Sequence, residues 1–377
     1  MFVDGFMKAR LGDYIREYSI RNKANEDIPV YSVTNSQGFC KDYFGKEVAS
    51  KNKSTYKIVP KGCFAYNPSR INVGSVDWQR NEERVIVSPL YNVFSVSSDL
   101  DNQYLYYFLK SDIALCLIKN IATGSVRDNL KLSMLYEFPI NLPNIERQKE
   151  IVSTLDTLQS IITHIRTQLE KLDLLVKARF VEMFGNIENM CTIADVCSII
   201  TDGTHQPPKF TTDGIPFLFV SNIATNEIVY NAEKFISEET YNDLYKRTPI
   251  EIGDIILSTV GSYGHPAIVK TNKKFLFQRH IAYLKPIPTT INSIYLHRAI
   301  LSDNVQRQID ERVKGIAQKT LNLSEIRKIV IPAPPLELQT QFANFVKQVD
   351  QSKSILQQEL TQTQTLFDSL MQEYFGS

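Results

Sequence analysis

Residues 143–185 read PNIERQKEIVSTLDTLQSIITHIRTQLEKLDLLVKARFVEMFG, and this stretch decides the fold. Its apolar residues recur in steps of four and three, beginning at Ile151 and ending at Met183. Such a heptad seam is typical of a helix that packs lengthwise against another helix. Pro143 precedes the seam and Gly185 follows it, as expected at the two ends of a helix. The stretch therefore predicts one long helix with a helical partner.

The same chain supplies the partner. Residues 334–376 read PPLELQTQFANFVKQVDQSKSILQQELTQTQTLFDSLMQEYFG and carry a second seam from Phe342 to Tyr374. Lys353 and Thr363 occupy core positions of this seam, where polar residues often fix the register. Each seam extends over about 38 residues, or ~57 Å of helix. We expect an intramolecular coiled coil, with antiparallel helices if a two-fold axis relates equivalent units.

An internal repeat with an offset of 191 residues relates the two halves of the chain. It begins with Tyr104-Leu105 against Tyr295-Leu296 and closes with Phe184-Gly185 against Phe375-Gly376. The chain is thus predicted to hold two copies of one unit, with an α+β fold and a pseudo-two-fold repeat. The predicted segments are a first globular domain at 1–143, a first long helix at 144–185, a second globular domain at 186–334 and a second long helix at 335–377.

Both globular parts read as mixed α/β, because short apolar runs alternate with amphipathic stretches. Strands are predicted at residues 85–87, 215–220, 254–258 and 281–284, and helices at 104–120 and 238–246.

Composition narrows the classes of protein. Of 377 residues 43% are hydrophobic, which favours folded domains over a disordered chain. We see no apolar run long enough for a membrane helix and no signal peptide, so we expect a cytoplasmic protein without a membrane partner. The five cysteines form no CxxC pair, which favours small buried thiols over disulfides or a zinc site.

Charge is balanced overall, with 42 Lys and Arg against 41 Asp and Glu, so a nucleic acid would have to bind at local patches. Residues 48–76 and 255–302 each contain several Lys and Arg and no acid. Loops at 66–75 and 258–265 are rich in Asn, Ser, Gly and basic residues. These types suit hydrogen bonds to phosphates and base edges, although turn chemistry alone explains each loop taken singly.

Motifs of catalysis are missing from the sequence. It has no Walker A motif, no GxGxxG and no HExxH. The run Asn67-Pro68-Ser69-Arg70 begins like the motif of amino-methyltransferases but lacks its second proline and its aromatic residue. The five histidines show no metal-ligand spacing. We therefore predict no catalytic residue and no metal ligand on this chain.

Several stretches together resemble the specificity subunit of type I restriction–modification enzymes. They are TDGTHQPP at 201–208, GIPFL at 214–218 and GDIILS at 253–258, combined with the duplicated helices. The resemblance covers nearly the whole chain. The first domain departs from it, because residues 25–34 read NEDIPVYSVT where the second domain has its DGTH segment.

The resemblance implies two target recognition domains, each reading one half of a bipartite, asymmetric site in double-stranded DNA. It implies that the long helices space the two halves and dock two methyltransferase subunits, and restriction subunits where these exist. The chain itself would be non-catalytic and hold no cofactor. S-adenosylmethionine, and ATP with Mg²⁺, would bind to partner subunits at the nucleoid.

Under this interpretation, basic residues contact phosphates and polar loops enter the grooves. The predicted DNA-binding residues of the first domain are Lys57, Asn67, Ser69, Arg70, Asn72 and Arg127. Those of the second domain are Thr204, His205, Lys209, Ser262, Tyr263, His265, Arg279, Gln318 and Lys319. His205 is alternatively a buried hinge residue.

Other classes stay open at this point. A non-catalytic coiled-coil interaction or scaffold protein would bind DNA without sequence preference. An enzyme acting on DNA by itself would show turnover by the purified chain. A solitary DNA-binding regulator is a variant of the first interpretation.

Overall fold

The computed structural model describes residues 2–3, 6–41, 52–122, 129–315 and 319–376. Contacts divide the chain into two compact units. Unit 1 comprises Met1–Arg166 and Gln358–Ser377, and unit 2 comprises Thr167–Gln357. The division falls inside both long helices, so each unit joins one globular part to one half of each helix.

Unit 1 is mixed strand and helix. Its strands are β1 (Phe2–Val3), β2 (Phe6–Arg10), β3 (Ile15–Glu17), β4 (Ser32–Thr34), β5 (Gly38–Cys40), β6 (Lys57–Pro60), β7 (Phe64–Tyr66), β8 (Val76–Trp78), β9 (Arg84–Val87), β10 (Asn92–Val96) and β11 (Pro139–Leu142). Its helices are α1 (Asn102–Lys110), α2 (Asp112–Ala122), α3 (Leu132–Leu135), the first half of α4 (Ile145–Phe184) and the second half of α10 (Leu336–Phe375).

Unit 2 has the same character. Its strands are β12 (Met190–Thr192), β13 (Cys197–Asp202), β14 (Ile215–Leu218), β15 (Phe235–Ile236), β16 (Ile255–Ser258), β17 (Pro266–Ile268), β18 (Leu276–Phe277), β19 (Ile281–Pro286) and β20 (Val330–Pro332). Its helices are the second half of α4, α5 (Ile193–Val196), α6 (Glu238–Tyr245), α7 (Ser293–Ile300), α8 (Asp303–Arg312), α9 (Leu323–Ile326) and the first half of α10 (Leu336–Phe375).

A four-stranded antiparallel sheet forms the centre of each unit. The strand order is β3-β10-β7-β8 in unit 1 and β13-β19-β16-β17 in unit 2. The two orders correspond strand for strand along the chain, and in both units the sheet is followed by two helices. The predicted fold class, α+β with a repeated unit and two long helices, is confirmed.

The two long helices pack against each other within each unit. In unit 1, Ile151 and Leu155 near the start of α4 share a core with Phe375 at the end of α10. In unit 2, the ring of Phe184 at the end of α4 lies 5.3 Å from that of Phe342 near the start of α10. The halves are therefore antiparallel within each unit, as predicted.

The polar seam residue Lys353 is paired across this contact. Its Nζ lies 2.7 Å from Oδ1 of Asp173 on α4 in unit 2. The side chain of Thr363 instead donates a hydrogen bond to the carbonyl of Glu359, one turn earlier in its own helix (2.8 Å). A core position of the seam thus accepts a lysine because the facing helix supplies the opposite charge.

A buried glutamine fastens the first turn of each long helix to its globular part. Oε1 of Gln148 accepts from the amide of Asp101, and Nε2 donates to the carbonyls of Asp99 and Pro143. In unit 2, Gln339 makes the same set with Asn292, Thr290 and Pro334. The repeated Pro-x-x-Glu-x-Gln sequence therefore encodes a joint between helix and domain.

Three secondary predictions need correction. The single helix expected at 104–120 is two helices, because Ser111 ends α1 and its Oγ accepts from the amide of Ala114 at the start of α2. The strand expected at 215–220 ends at Leu218 and gives way to a 3₁₀ turn at Val220–Ile223. The five thiols are unpaired, but Cys116 is exposed and only Cys63 and Cys197 are buried.

Candidate nucleic-acid interface

The loops that carry most of the predicted site residues emerge at one edge of each central sheet. In unit 1, Tyr66 at the end of β7 pairs with both Val76, which starts β8, and Asn92, which starts β10. In unit 2, Ser258 at the end of β16 pairs with Ile281 at the start of β19. We call these the loop edge of unit 1 (residues 18–20, 67–75, 88–91 and 129–130) and the loop edge of unit 2 (residues 203–205, 259–265, 278–280 and 319–320).

The β7–β8 loop of unit 1 is a fixed structure. Ile71, Asn72 and Val73 form one 3₁₀ turn, with Ile71 fully buried beneath it. Gly74 ends this turn with a φ of 83°, a left-handed conformation that glycine adopts without strain. The loop therefore presents a defined surface outside the strand ends.

A second segment supports this loop. Oγ of Ser69 donates to Oδ1 of Asn129 (2.8 Å), and the amide of Leu130 donates to the carbonyl of Pro68 (3.2 Å). The hydroxyl of Tyr66 also donates to the carbonyl of Leu130 (3.0 Å). In the supported loop, Ser69 and Arg70 are exposed to solvent, while Asn67 and Asn72 are half-buried.

Two predicted residues of the first domain do not join this surface. Lys57 is buried, and its Nζ donates to the carbonyl of Tyr91 (2.7 Å). Burial also lowers the pKa of Lys57. Its ammonium is thus used inside the domain, and we leave it out of the interface. Arg127 lies outside the described residues.

The loop edge of unit 2 brings four segments together. The amide of Arg279 donates to the carbonyl of Thr204 (3.1 Å), and the amide of Thr259 donates to the carbonyl of His280 (2.9 Å). The amide of Gly261 in turn donates to the carbonyl of Lys319 (3.2 Å). Residues that are far apart in the sequence therefore line one edge.

The side chains of this edge are partly exposed. Arg279, Ser262 and Lys319 are exposed, and Nζ of Lys319 lies 5.9 Å from the ring centre of Tyr263. The hydroxyl of Tyr263 lies within hydrogen-bonding distance (3.0 Å) of Oδ1 of Asp310 on α8. The loop after β16 is thus tied to α8 as well as to the segment that contains Lys319. Gln318 lies outside the described residues.

The DGTH segment is held by its aspartate. A carboxylate oxygen of Asp202 lies 3.0 Å from Nε2 of His205, and Oδ1 accepts from the guanidinium of Arg247 (2.6 Å). Half of the His205 side chain is exposed, so the alternative of a buried hinge histidine is wrong. Lys209 is also exposed, four residues further along the loop. Asp202 belongs to the DGTH segment, but its role was missed because its partner Arg247 lies 45 residues further along the chain and does not stand out in the sequence.

Residues that lie behind the loop edge of unit 2 hold His265 in position. Its Nδ1 lies 3.1 Å from Oδ1 of Asn226, which has a positive φ of 62°. The carbonyls of Asn226 and Pro266 both face Nε2 of the buried His297. Burial lowers the pKa of His297 to about 4, so it is a neutral hydrogen-bond donor at neutral pH.

Several basic residues of the acid-free run at 255–302 are in ion pairs. Lys270, Lys274 and Lys285 pair with glutamates from other segments, and Arg298 pairs with Asp350. Within the described ranges no acidic side chain pairs with Arg279, whose Nε instead donates to Nε2 of His280 (3.3 Å). The acid-free run at 255–302 is therefore largely neutralised by the fold, and Arg279 at the loop edge keeps an unpaired charge.

In the acid-free run at 48–76, two lysines likewise either lie near an acid or are buried. Lys53 lies 3.5 Å from Asp27, and Lys57 is buried. Arg70 forms none of the ion pairs recorded in the described part of unit 1, and it is exposed at the loop edge. Each loop edge thus carries one exposed guanidinium without an acid partner, which is the group best suited to phosphate or guanine.

No cluster of three or more His, Cys, Asp or Glu side chains that could hold a metal ion is present in the described ranges. Within the same ranges, none of the helices is both long and apolar enough to cross a membrane.

Comparison with known proteins identifies the family. A family model described as the type I restriction modification DNA specificity domain matches residues 4–173 and, a second time, residues 188–364. The chain belongs to this family. The two matches follow the internal repeat, so each unit contains one specificity domain, and the resemblance stated from the sequence is confirmed.

Relatives of this family extend over most of the chain. The EcoBI specificity subunit of a type I restriction enzyme from Escherichia coli is 24% identical over 344 residues, covering 81% of this chain and 72% of the relative. The crystal structure of a type I restriction-modification system S subunit from M. genitalium covers 98% of this chain and 96% of its own, with a TM-score of 0.58 and 14% identity.

A second similar structure comes from work on the complex assembly and conformational transition of the type I R-M system. One of its chains covers 100% of this chain and 98% of its own, with a TM-score of 0.59 and 17% identity. At such low identity these two likenesses show that the specificity-subunit fold is shared.

Proposed function

We propose that this specificity subunit recognises a bipartite, asymmetric target in double-stranded DNA, with one half-site read by the loop edge of each unit. The observation that carries the proposal is the repeated loop edge itself. The same sheet order positions loops with exposed Arg70 in unit 1 and exposed Arg279 in unit 2. Because the side chains around these arginines differ, the two half-sites are expected to differ as well.

The arginines and the polar loop residues have distinct parts in this proposal. Arg70 and Arg279 donate to guanine edges or phosphates, since both are exposed and neither is paired with an acid. Ser69, Ser262, Lys209 and Lys319 reach phosphates from the same loops or from loops beside them. Asp202, Asn226 and His297 lie behind the surface and hold the loops in place.

In this proposal, the long helices bind the partner subunits. Several apolar side chains of α4 and α10 remain exposed in unit 2, including Leu174 (62%), Val181 (65%) and Ile355 (58%). We propose that such faces bind two methyltransferase subunits, and restriction subunits where these exist. The subunit itself is non-catalytic, with S-adenosylmethionine, and ATP with Mg²⁺, bound on the partners in the cytoplasm at the nucleoid.

The test is methylome sequencing of cells that carry this chain with its cognate methyltransferase subunit. We expect methylation confined to one split motif with two unlike halves and a spacer of fixed length. Arg70→Ala should relax one base of one half, and Arg279→Ala one base of the other. A single continuous motif, or methylation without sequence preference, would refute the proposal. Methyl transfer by the purified chain alone would refute its non-catalytic role.

A further inference from the structure

Three large apolar side chains are exposed in the described globular part of unit 1. They are Ile20 (54%), Val73 (54%) and Leu90 (76%). Single exposed apolar residues are common on protein surfaces and need no explanation when they are scattered. These three are not scattered, because all of them lie at the loop edge of unit 1.

Hydrogen bonds establish this placement. The amide of Tyr18 donates to the carbonyl of Val93 in β10, which brings the segment of Ile20 alongside the start of that strand. Leu90 lies in the turn just before β10, closed by a hydrogen bond from the amide of Tyr91 to the carbonyl of Ser88 (3.0 Å). Val73 lies in the 3₁₀ turn after β7.

The turn that contains Val73 starts next to Arg70. The amide of Val73 donates to the carbonyl of Arg70 (3.2 Å), which closes the turn. Ile71 is buried beneath it, whereas Arg70 and Val73 are both exposed. An exposed arginine and an exposed valine therefore lie at the two ends of one short turn.

Unit 2 has different chemistry at the corresponding place. The residues just before β19 are Gln278, Arg279 and His280, whereas those just before β10 are Pro89, Leu90 and Tyr91. The same strand end thus carries cationic and polar groups in one unit and an apolar group in the other. At Leu90 the difference is unrelated to core packing, because this side chain is 76% exposed.

We propose that Leu90 and Val73 are specificity-determining residues that contact thymine methyl groups in the half-site read by unit 1. This inference rests on the proposed function and deepens it. On the major-groove side, the C5 methyl of thymine is the apolar group that a base edge offers, and it lies among hydrogen-bonding groups. The loop edge of unit 1 has the matching pattern, with Leu90 and Val73 set among Asn67, Ser69 and Arg70.

A protein partner is the weaker match for this surface. The core of a protein interface is more apolar than this edge and is depleted in serine, whereas here Val73 and Leu90 share the edge with the polar Asn67, Ser69 and Asn72. The surface is also continuous with the loops already assigned to DNA. We therefore commit to DNA as the occupant and let the experiment report a protein contact.

The experiment replaces thymine by uracil, which removes the methyl group and leaves the pairing and the hydrogen-bonding groups unchanged. The methylome first gives the target. Binding of the full-length chain, assembled with its methyltransferase subunits, is then measured on duplexes with single uracil substitutions throughout both halves. We expect the wild-type complex to bind about three- to five-fold more weakly when a contacted methyl is lost.

Variants identify the side chain involved. Leu90→Ala and Val73→Ala should each weaken binding about five- to ten-fold on the thymine duplex, and each should abolish the further effect of uracil at one position. Ile252→Ala is the matched control, because Ile252 is an apolar residue before β16 that is about as exposed (56%) as Val73 and lies away from the loop edge of unit 2. It should change neither measurement.

The outcomes separate the two levels of the argument. A wild-type complex with no preference for the mapped target would refute the proposed function itself. A target-specific complex that is insensitive to uracil, or whose sensitivity survives both variants, would overturn only the assignment of Leu90 and Val73. Equal weakening on thymine and uracil duplexes, with loss of methyltransferase subunits from Leu90→Ala, would show that the edge contacts protein and would overturn it too.

Discussion

Replacing Gln148 by alanine should loosen the joint between α4 and the globular part of unit 1. Gln148 is fully buried and makes three hydrogen bonds with distances of 2.8–2.9 Å, to the amide of Asp101 and the carbonyls of Asp99 and Pro143. Asp101 is the N-cap of α1, so its half-buried amide would lose its partner at the start of that helix. The change therefore affects α1 and the first turn of α4 together.

The magnitude follows from the number of bonds. A buried hydrogen bond contributes roughly 1 kcal/mol net, and an amide left unsatisfied adds to the loss, so three bonds correspond to about 2–4 kcal/mol. That is roughly a 30- to 1000-fold increase in the opening equilibrium of this region. Gln339 makes the same three contacts in unit 2, one of them longer at 3.4 Å, so Gln339→Ala should cost somewhat less.

Hydrogen exchange with mass spectrometry on the full-length chain measures this directly. Gln148→Ala should reduce protection in α1 and leave α7 unchanged, whereas Gln339→Ala should do the reverse. Each variant thus serves as the control for the other. If either variant leaves both helices equally protected, or weakens both to the same degree, the glutamines are not the joints that we describe.

Three further predictions concern binding, pH and geometry. Arg279→Ala should cost about 1–3 kcal/mol of binding to the mapped target and relax one base, while the ion-paired control Lys285→Ala should leave base preference unchanged in a competition assay. Burial lowers the pKa of His297 to about 4, so between pH 6.5 and 4 the unfolded chain binds a proton that the folded chain does not. The free energy of unfolding should therefore fall by up to about 3 kcal/mol as the pH decreases through this window. In denaturant titrations, His297→Gln should lack this dependence of stability on pH. From the resemblance we expect the long helices to set the distance between the two half-sites. Deleting one facing heptad from both α4 and α10 removes ~10.5 Å of helix, so the methylome spacer should then shorten by about three base pairs at ~3.4 Å each, with both half-sites unchanged. An unchanged spacer would contradict this expectation.

The long helices were predictable because their signal is periodic and local. The seam from Ile151 to Met183 requires only the spacing of apolar residues, and the helix ends follow from Pro143 and Gly185. The repeat added the second helix and the equivalence of the two units. The position of Gln148 was visible as a repeated residue, but its role was not, since its partners lie 47 and 49 residues away.

The candidate surface was only partly predictable, because charge along a sequence is not charge in space. The run at 255–302 contains no acid, yet Glu227, Glu238 and Glu251 fold against its lysines. Lys57 lies in a basic run but turns inward onto Tyr91. Only the arrangement of the segments separates such residues from Arg70 and Arg279.

The supporting residues of unit 2 were out of reach for the same reason. Asn226 and His297 are 71 residues apart, and their contact behind His265 depends on a left-handed backbone at Asn226. No local pattern marks an asparagine for that conformation. In the same way, the position of His297 on an amphipathic helix does not predict which backbone carbonyls its imidazole will contact.

The two loop edges show how one fold can read two unlike sequences. Strands β7, β16 and β19 beneath them are almost wholly buried, so their order and register are fixed by packing rather than by the loops. Side chains such as Leu90 in unit 1 and Arg279 in unit 2 project from corresponding strand ends and contribute little to the core. Under the proposed function, Leu90→Arg, which gives this strand end the residue type found at position 279, should therefore alter base preference in one half-site while leaving the stability of the unit nearly unchanged. If this substitution unfolded unit 1, reading and folding would be coupled at this edge, and specificity could not vary independently of the fold.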